Sequence, residues 1–167
     1  MSKANKLVCL LVVLILHFSS LSAFSYVKGG VAFLGEEVIA PVAGIGQRYD
    51  LSLVALDFSW SIAASKKHKV AFYSSPRIAA LLYVNPMHSN RIYVGAAASW
   101  AYIVNSKRNT GYSGLVGELI VGMQFESILL FQPFIEVSES FPYKRFSNKI
   151  GNLGHRASTS VVFGIGI

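Results

Sequence analysis

The stretch Val54–Ala64 reads VALDFSWSIAA. Its even positions are Val54, Leu56, Phe58, Trp60, Ile62 and Ala64; its odd positions are Ala55, Asp57, Ser59, Ser61 and Ala63. Large apolar side chains alternate with small or polar ones at a period of two, which is the period of a β-strand and not of a helix. Ile92–Val104, Leu115–Phe125, Leu129–Val137 and Val161–Ile167 repeat the pattern. In Leu115–Phe125, for instance, Leu115, Leu119, Val121, Met123 and Phe125 share one face, while Glu118 and Gln124 lie on the other. Carried along the chain, the pattern predicts eight strands near 26–35, 39–49, 51–64, 70–84, 91–104, 112–125, 128–140 and 158–167. Pro41, Pro76 and Pro133 fall in or beside these segments. Proline cannot donate to a strand ladder, so each predicts a bulge or a strand boundary.

The start of the chain sets the compartment. Lys3 and Lys6 precede the apolar run LVCLLVVLILHF, Leu7–Phe18, which is followed by SSLSAFS, Ser19–Ser25. A basic end, a short apolar run and small residues form a secretory signal peptide, residues 1–23, with the cut after Ala23 or as late as Ser25. Cys9 lies inside the run with Lys6, Leu7 and Val8 before it, which is not a lipidation pattern. Removing the signal removes the only cysteine, and with it disulfides and thiol ligands. Residues 24–167 then form one domain carrying 13 of the 15 Lys and Arg against all 8 acids.

That domain belongs to a very apolar chain, 53% apolar residues with mean hydropathy +0.48. After the signal, its longest apolar stretch is Ile92–Val104, 13 residues and too short for a spanning helix. The remaining way to satisfy a backbone in lipid is a closed β-barrel. The fold class expected is all-β: an eight-stranded antiparallel up-and-down transmembrane barrel after a cleaved signal. A soluble periplasmic lipid-binding barrel is the rival. It would need a polar exterior, and the second faces carry few charges beyond Asp57, Arg77, Glu118 and Glu136.

On these alternating segments the chain resembles the small eight-stranded bacterial outer-membrane barrels, the class of the OmpA transmembrane domain and OmpX. The resemblance is one of pattern and covers nearly all of the mature chain. It implies a location in the bacterial outer membrane, periplasmic termini and a closing strand read by the barrel-assembly machinery. Val161, Phe163, Ile165 and Ile167 would form that signal, with Ile167 where the class usually ends on Phe.

With that topology, connections three, five and seven lie outside the cell. They hold Lys66, Lys67, Lys69, Lys107, Arg108, Lys144, Arg145, Lys149 and Arg156, nine of the 13 mature cations, and no acid. A basic rim of this kind favours anions. Lipopolysaccharide phosphates are the abundant ones in an outer membrane, and an acidic surface partner is the alternative. No interleaved aromatic and basic groove points to nucleic acid.

Inside, a hairpin centred on Lys67 puts Asp57 across from Arg77, and one centred on Ser127 puts Glu118 across from Glu136. Two carboxylates facing one another need a proton or a cation between them, and Arg77 is the candidate. An eight-stranded lumen is filled by side chains, which disfavours both a porin-like channel and a substrate site. The stretch RFSN, Arg145–Asn148, is similar to the His-aromatic-Ser-Asn of the lipid A deacylases in Ser147 and Asn148, but Arg145 replaces the base and no acid follows Glu139. There is no metal-ligand spacing, phosphate loop or nucleophile elbow. The expectation is a non-enzymatic barrel without cofactor, structural or surface-interactive through its basic loops, with a lipid-modifying enzyme as the alternative.

Overall fold

The computed structural model describes residues 22–34, 38–65, 70–105, 110–142 and 158–167. Eight antiparallel strands form a closed barrel in sequence order, with β8 pairing back onto β1. The strands are β1 Ser22–Leu34, β2 Val38–Leu51, β3 Val54–Ser65, β4 Val70–Tyr83, β5 Arg91–Asn105, β6 Thr110–Gln124, β7 Gln132–Pro142 and β8 Ser158–Gly166. Every neighbouring pair is hydrogen-bonded, so no strand edge is left open. No described helix is long and apolar enough to cross a membrane.

The alternation fixes inside and outside. In β3, Val54, Leu56, Phe58, Trp60 and Ile62 are exposed, while Ala55, Asp57, Ser59 and Ala63 are buried. The same holds for Ile45, Ile78, Val94, Trp100, Leu119, Val121, Val137 and Phe163 outside, against Arg48, Arg77, Ser99, Glu118, Glu136 and Ser138 inside. A soluble barrel needs the reverse, with its apolar face turned in. A continuous apolar wall of this size is stable only against another apolar phase.

Three boundaries differ from the sequence reading by three residues or more. β1 begins at Ser22, with Ser22 opposite Asp50 and Ala23 opposite Tyr49, so a cut after Ala23 removes the first two rungs. β7 begins at Gln132, because Ile128 and Phe131 close a turn on each other and Leu129 adopts φ 60°. The unbroken apolar residues from 128 to 131 look like strand because they carry none of the usual turn chemistry. β3 extends from Val54, not residue 51, since Ser52 at φ 71° makes the tight turn between β2 and β3.

The prolines sit where a missing N–H is tolerated. Pro76 lies in a bulge: Ser59 pairs Arg77, but Ser61 pairs Ser74, so β4 carries one residue more than β3 there. Pro133 is the second residue of β7. Pro41 faces Val31 in an unbroken ladder on one side, and on the other side the pairing with β3 starts only at Val42.

Two registers are therefore corrected. Asp57 lies across from Ala79 and not Arg77, because the hairpin centre shifts and the Pro76 bulge adds a residue. Glu118 lies across from Ser140, and Glu136 across from Gly122, because the turn moves β7 along.

Candidate functional site: the filled lumen

The inward side chains form three storeys. The lowest, at the end of the barrel that holds the termini, is aromatic. Phe24, Tyr26, Tyr83, Tyr93 and Phe134 are all buried there. Four of them fit because glycine stands beside them on the next strand. Tyr26 lies opposite Gly46, Tyr93 opposite Gly122 and Phe134 opposite Gly164, while Phe24 lies over Gly166. A Cβ at any of these four glycines would overlap the ring. At this level glycine is chosen for close approach rather than for its freedom at positive φ.

The rings enclose the Arg48 guanidinium. Its carbon is 4.8 Å from the ring centres of Tyr93 and Phe134 and 5.8 Å from those of Phe24 and Tyr26. Arg48 is fully buried, and its Nη1 makes no hydrogen bond. The ring faces offset part of that loss through cation–π attraction. Below it, Arg91 Nη2 is 2.7 Å from Asp50 Oδ2, and its guanidinium stacks 4.5 Å from the Tyr83 ring centre. Tyr83 donates to Asp50 Oδ1 at 2.6 Å.

The middle storey is charged. Arg77 Nη2 donates to Glu136 Oε1 at 2.8 Å, and its Nη1 is 3.7 Å from Asp57 Oδ1. Its Nε is 3.0 Å from Glu118 Oε2 but is not aligned for a hydrogen bond, so that contact is coulombic. Arg77 thus reaches all three carboxylates. Arg48 Nε donates to Asp57 Oδ2 at 2.9 Å, and Tyr26 donates to Asp57 Oδ1 at 2.8 Å. Ser99 Oγ donates to Glu118 Oε1 at 2.8 Å. Lys28, also buried, donates weakly to Ser59 Oγ at 3.4 Å. Three cations, Lys28, Arg48 and Arg77, therefore meet three acids, Asp57, Glu118 and Glu136. Each charge is costly to bury alone and tolerable in a balanced, hydrogen-bonded set.

The upper storey is small and polar. Ser61, Ser138, Ser140, Ser158 and Ser160, with Ala32, Ala63 and Val162, line a cavity of about 50 Å3 above Lys28 and Arg77. This is room for one or two waters, not for a sugar or an acyl chain. Glu118 and Glu136 are separated by the Arg77 guanidinium and do not form a free carboxylate pair. Among the described residues, no group of three or more His, Cys, Asp or Glu could hold a metal ion.

The sequence reading singled out Asp57, Arg77, Glu118 and Glu136, and the fold brings all four together. It left out Lys28, Arg48, Asp50 and Arg91, and it placed Gln124 on the same face as Glu118 without a role. The signal for two of them lay in β2, where Ala40, Val42, Gly44, Gly46, Arg48 and Asp50 share one strand face. The nine rim cations, Lys66, Lys67, Lys69, Lys107, Arg108, Lys144, Arg145, Lys149 and Arg156, lie outside the described residues, as do Ser147 and Asn148. On the closing strand Phe163, Ile165 and Ile167 face outward and Val161 is half-buried.

No protein-family model matches this chain, and no curated protein does. Solved structures do. Neisserial surface protein A superposes with a TM-score of 0.67 at 10% identity, over 89% of this chain and 98% of that one. The N-terminal β-barrel domain of Pseudomonas aeruginosa OprF gives 0.60 at 13% identity, over 86% and 95%. This is the fold of the small eight-stranded outer-membrane β-barrels. A major outer membrane protein of Thermus thermophilus shares it at a TM-score of 0.51 and 8% identity, over 87% and 98%. At these identities the likeness is one of architecture. It carries over the barrel of this class, not any partner or activity.

Proposed function

We propose that the protein is an integral outer-membrane β-barrel with a sealed lumen, without catalytic activity, acting structurally or as an interaction surface through basic loops. The observation that carries this reading is the division of its charge. All four described cations, Lys28, Arg48, Arg77 and Arg91, are held inside the barrel by carboxylates, a hydroxyl or aromatic rings. The other nine mature cations all fall in connections three, five and seven, which leave the opposite end from the termini. The interior serves the barrel's own packing, so recognition falls to the loops.

The chemistry of those loops favours phosphate-bearing lipid, lipopolysaccharide in this membrane, as the anion bound. The closing strand, with Phe163, Ile165 and Ile167 turned outward, suits recognition by the barrel-assembly machinery during biogenesis. Refolding the mature chain in detergent tests the membrane assignment. The unboiled sample is expected to migrate apart from the boiled one on a gel and to give a β-rich circular dichroism spectrum. Folding without detergent and no mobility shift would overturn it. Exchanging Lys66, Lys67 and Lys69 for Glu is expected to weaken binding to lipopolysaccharide vesicles and leave the mobility shift intact. Ser147→Ala is expected to leave the mass of lipid A unchanged relative to the unsubstituted protein; an effect on that mass would favour the lipid-modifying reading.

A further inference from the structure

The apolar outer wall does not stop evenly at the end of the barrel that holds the termini. Between β4 and β5 it gives way to a mostly polar turn, with Asn85, His88, Ser89 and Asn90 beside Pro86 and with Met87, 98% exposed, as its one large apolar side chain. There the Asn85 side chain donates to Asn90 O at 2.9 Å and accepts from Ile92 N–H. Between β6 and β7 the wall runs on. The outward positions Val121, Met123 and Phe125, and on the other strand Val137, Ile135 and Pro133, are apolar, and past Glu126 and Ser127 on one side and Gln132 on the other the chain turns apolar again at Ile128–Phe131. Leu129 is 89% exposed and Leu130 82%.

This turn is built, not slack. Ile128 N–H donates to Phe131 O at 2.9 Å, and Phe131 N–H donates to Ile128 O at 3.0 Å. Ser127 Oγ donates to Gln132 Oε1 at 2.7 Å, and Gln132 Nε2 donates to Phe125 O. Glu126 N–H donates to Asn90 Oδ1 at 3.0 Å, tying this turn to its neighbour. A two-residue hairpin turn favours Asn-Gly, which takes positive φ without strain and likes water. Here Leu129 holds φ 60° and Leu130 follows it. Both choices work against the turn and against solvent, and an apolar contact accounts for both.

We infer that the β6–β7 turn is a lipid anchor. It lies at the boundary of acyl chains and headgroups in the leaflet at the terminal end, while the β4–β5 turn lies in water. The inference rests on the membrane reading above. Lipid is the occupant because the turn's exposed apolar side chains, Ile128 to Phe131, rise from the same two strands as the wall that faces lipid. Ile128 and Phe131 satisfy each other's peptide groups, which suits a site short of water. The Leu129–Leu130 peptide is left within reach of headgroup water.

The test is fluorescence in phosphatidylcholine bilayers, on a Trp60→Phe, Trp100→Phe background that carries either Leu130→Trp or His88→Trp. The Leu130→Trp indole is expected to emit further to the blue. It should be quenched several-fold more by lipids brominated on the acyl chain, and less by acrylamide, than the His88→Trp indole. Leu129→Trp serves if Leu130→Trp fails to give the heat-dependent mobility shift. An indole quenched by acrylamide and untouched by brominated lipid would place the turn in water and overturn the inference. Protection from both quenchers that grows with the protein-to-lipid ratio would put a second copy there instead, and overturns it equally. If Trp60 and Trp100 in the parent chain also escape brominated lipid, the membrane reading itself has failed.

Discussion

The lower and upper halves of the lumen are built on opposite principles. Below, Phe24, Tyr26, Tyr93 and Phe134 lie on glycines and close around Arg48. Above, serines and alanines leave a cavity of about 50 Å3. The charged storey lies between the two. The difference teaches where the molecule carries its rigidity and where it faces the outside. The terminal half is a plug whose parts hold one another in place. Among the described residues, the serine-lined storey leaves a small cavity on the side of the barrel away from the termini.

The comparison should show in the size of mutational effects. The largest is expected at the charged storey. Arg77→Met leaves Asp57, Glu118 and Glu136 with two cations in place of three, and losing one partner from a buried charge set costs about 3–5 kcal/mol. In urea titrations of the detergent- or bilayer-folded protein, the unfolding midpoint should fall steeply. Adding Glu118→Gln should restore part of the loss, because one charge leaves with its partner. If Arg77→Met is neutral, the charged storey does not bind the two halves together.

The next effect belongs to the plug. Gly164→Ala puts a methyl into the Phe134 ring, and overpacking of this kind costs about 1–3 kcal/mol. Phe134→Leu in the same chain should recover some of it, which reports the coupling directly. The smallest effects belong above. Ser140→Ala and Ser158→Ala should each change stability by less than about 0.5 kcal/mol, since the cavity they line has room to adjust. A serine variant as damaging as Gly164→Ala would erase the distinction between the halves.

Much of this architecture is legible in the sequence. The period-two pattern of Val54–Ala64 and Leu115–Phe125 fixes both the strands and the face each presents, because a barrel in lipid must turn its large apolar face outward. Register is less legible. It depends on where each hairpin turns, and the turn at Ile128–Phe131 is made of residues that read as strand. Likewise Pro76 announces an irregularity, but its consequence, one added residue in β4, is a property of the paired strands. That is why Asp57 faces Ala79 although Asp57 and Arg77 still meet in the lumen: Arg77 is long enough to span the error. The aromatic floor was hidden for a different reason. Tyr93 and Phe134 are large residues on the face that is otherwise small, and they make sense only once Gly122 and Gly164 are known to lie opposite.

The central claim is that the chain is inverted relative to a soluble barrel, with charge inside and apolar side chains outside. Trp60 and Trp100, on β3 and β5, are 53% and 50% exposed on that outer wall. Their fluorescence in bilayers containing acyl-brominated phospholipid tests the claim most directly. Strong quenching by the brominated lipid, with little effect of aqueous acrylamide, is the expected result. Emission that acrylamide quenches and brominated lipid leaves unchanged would contradict it, and the apolar wall would then need some cover other than a membrane.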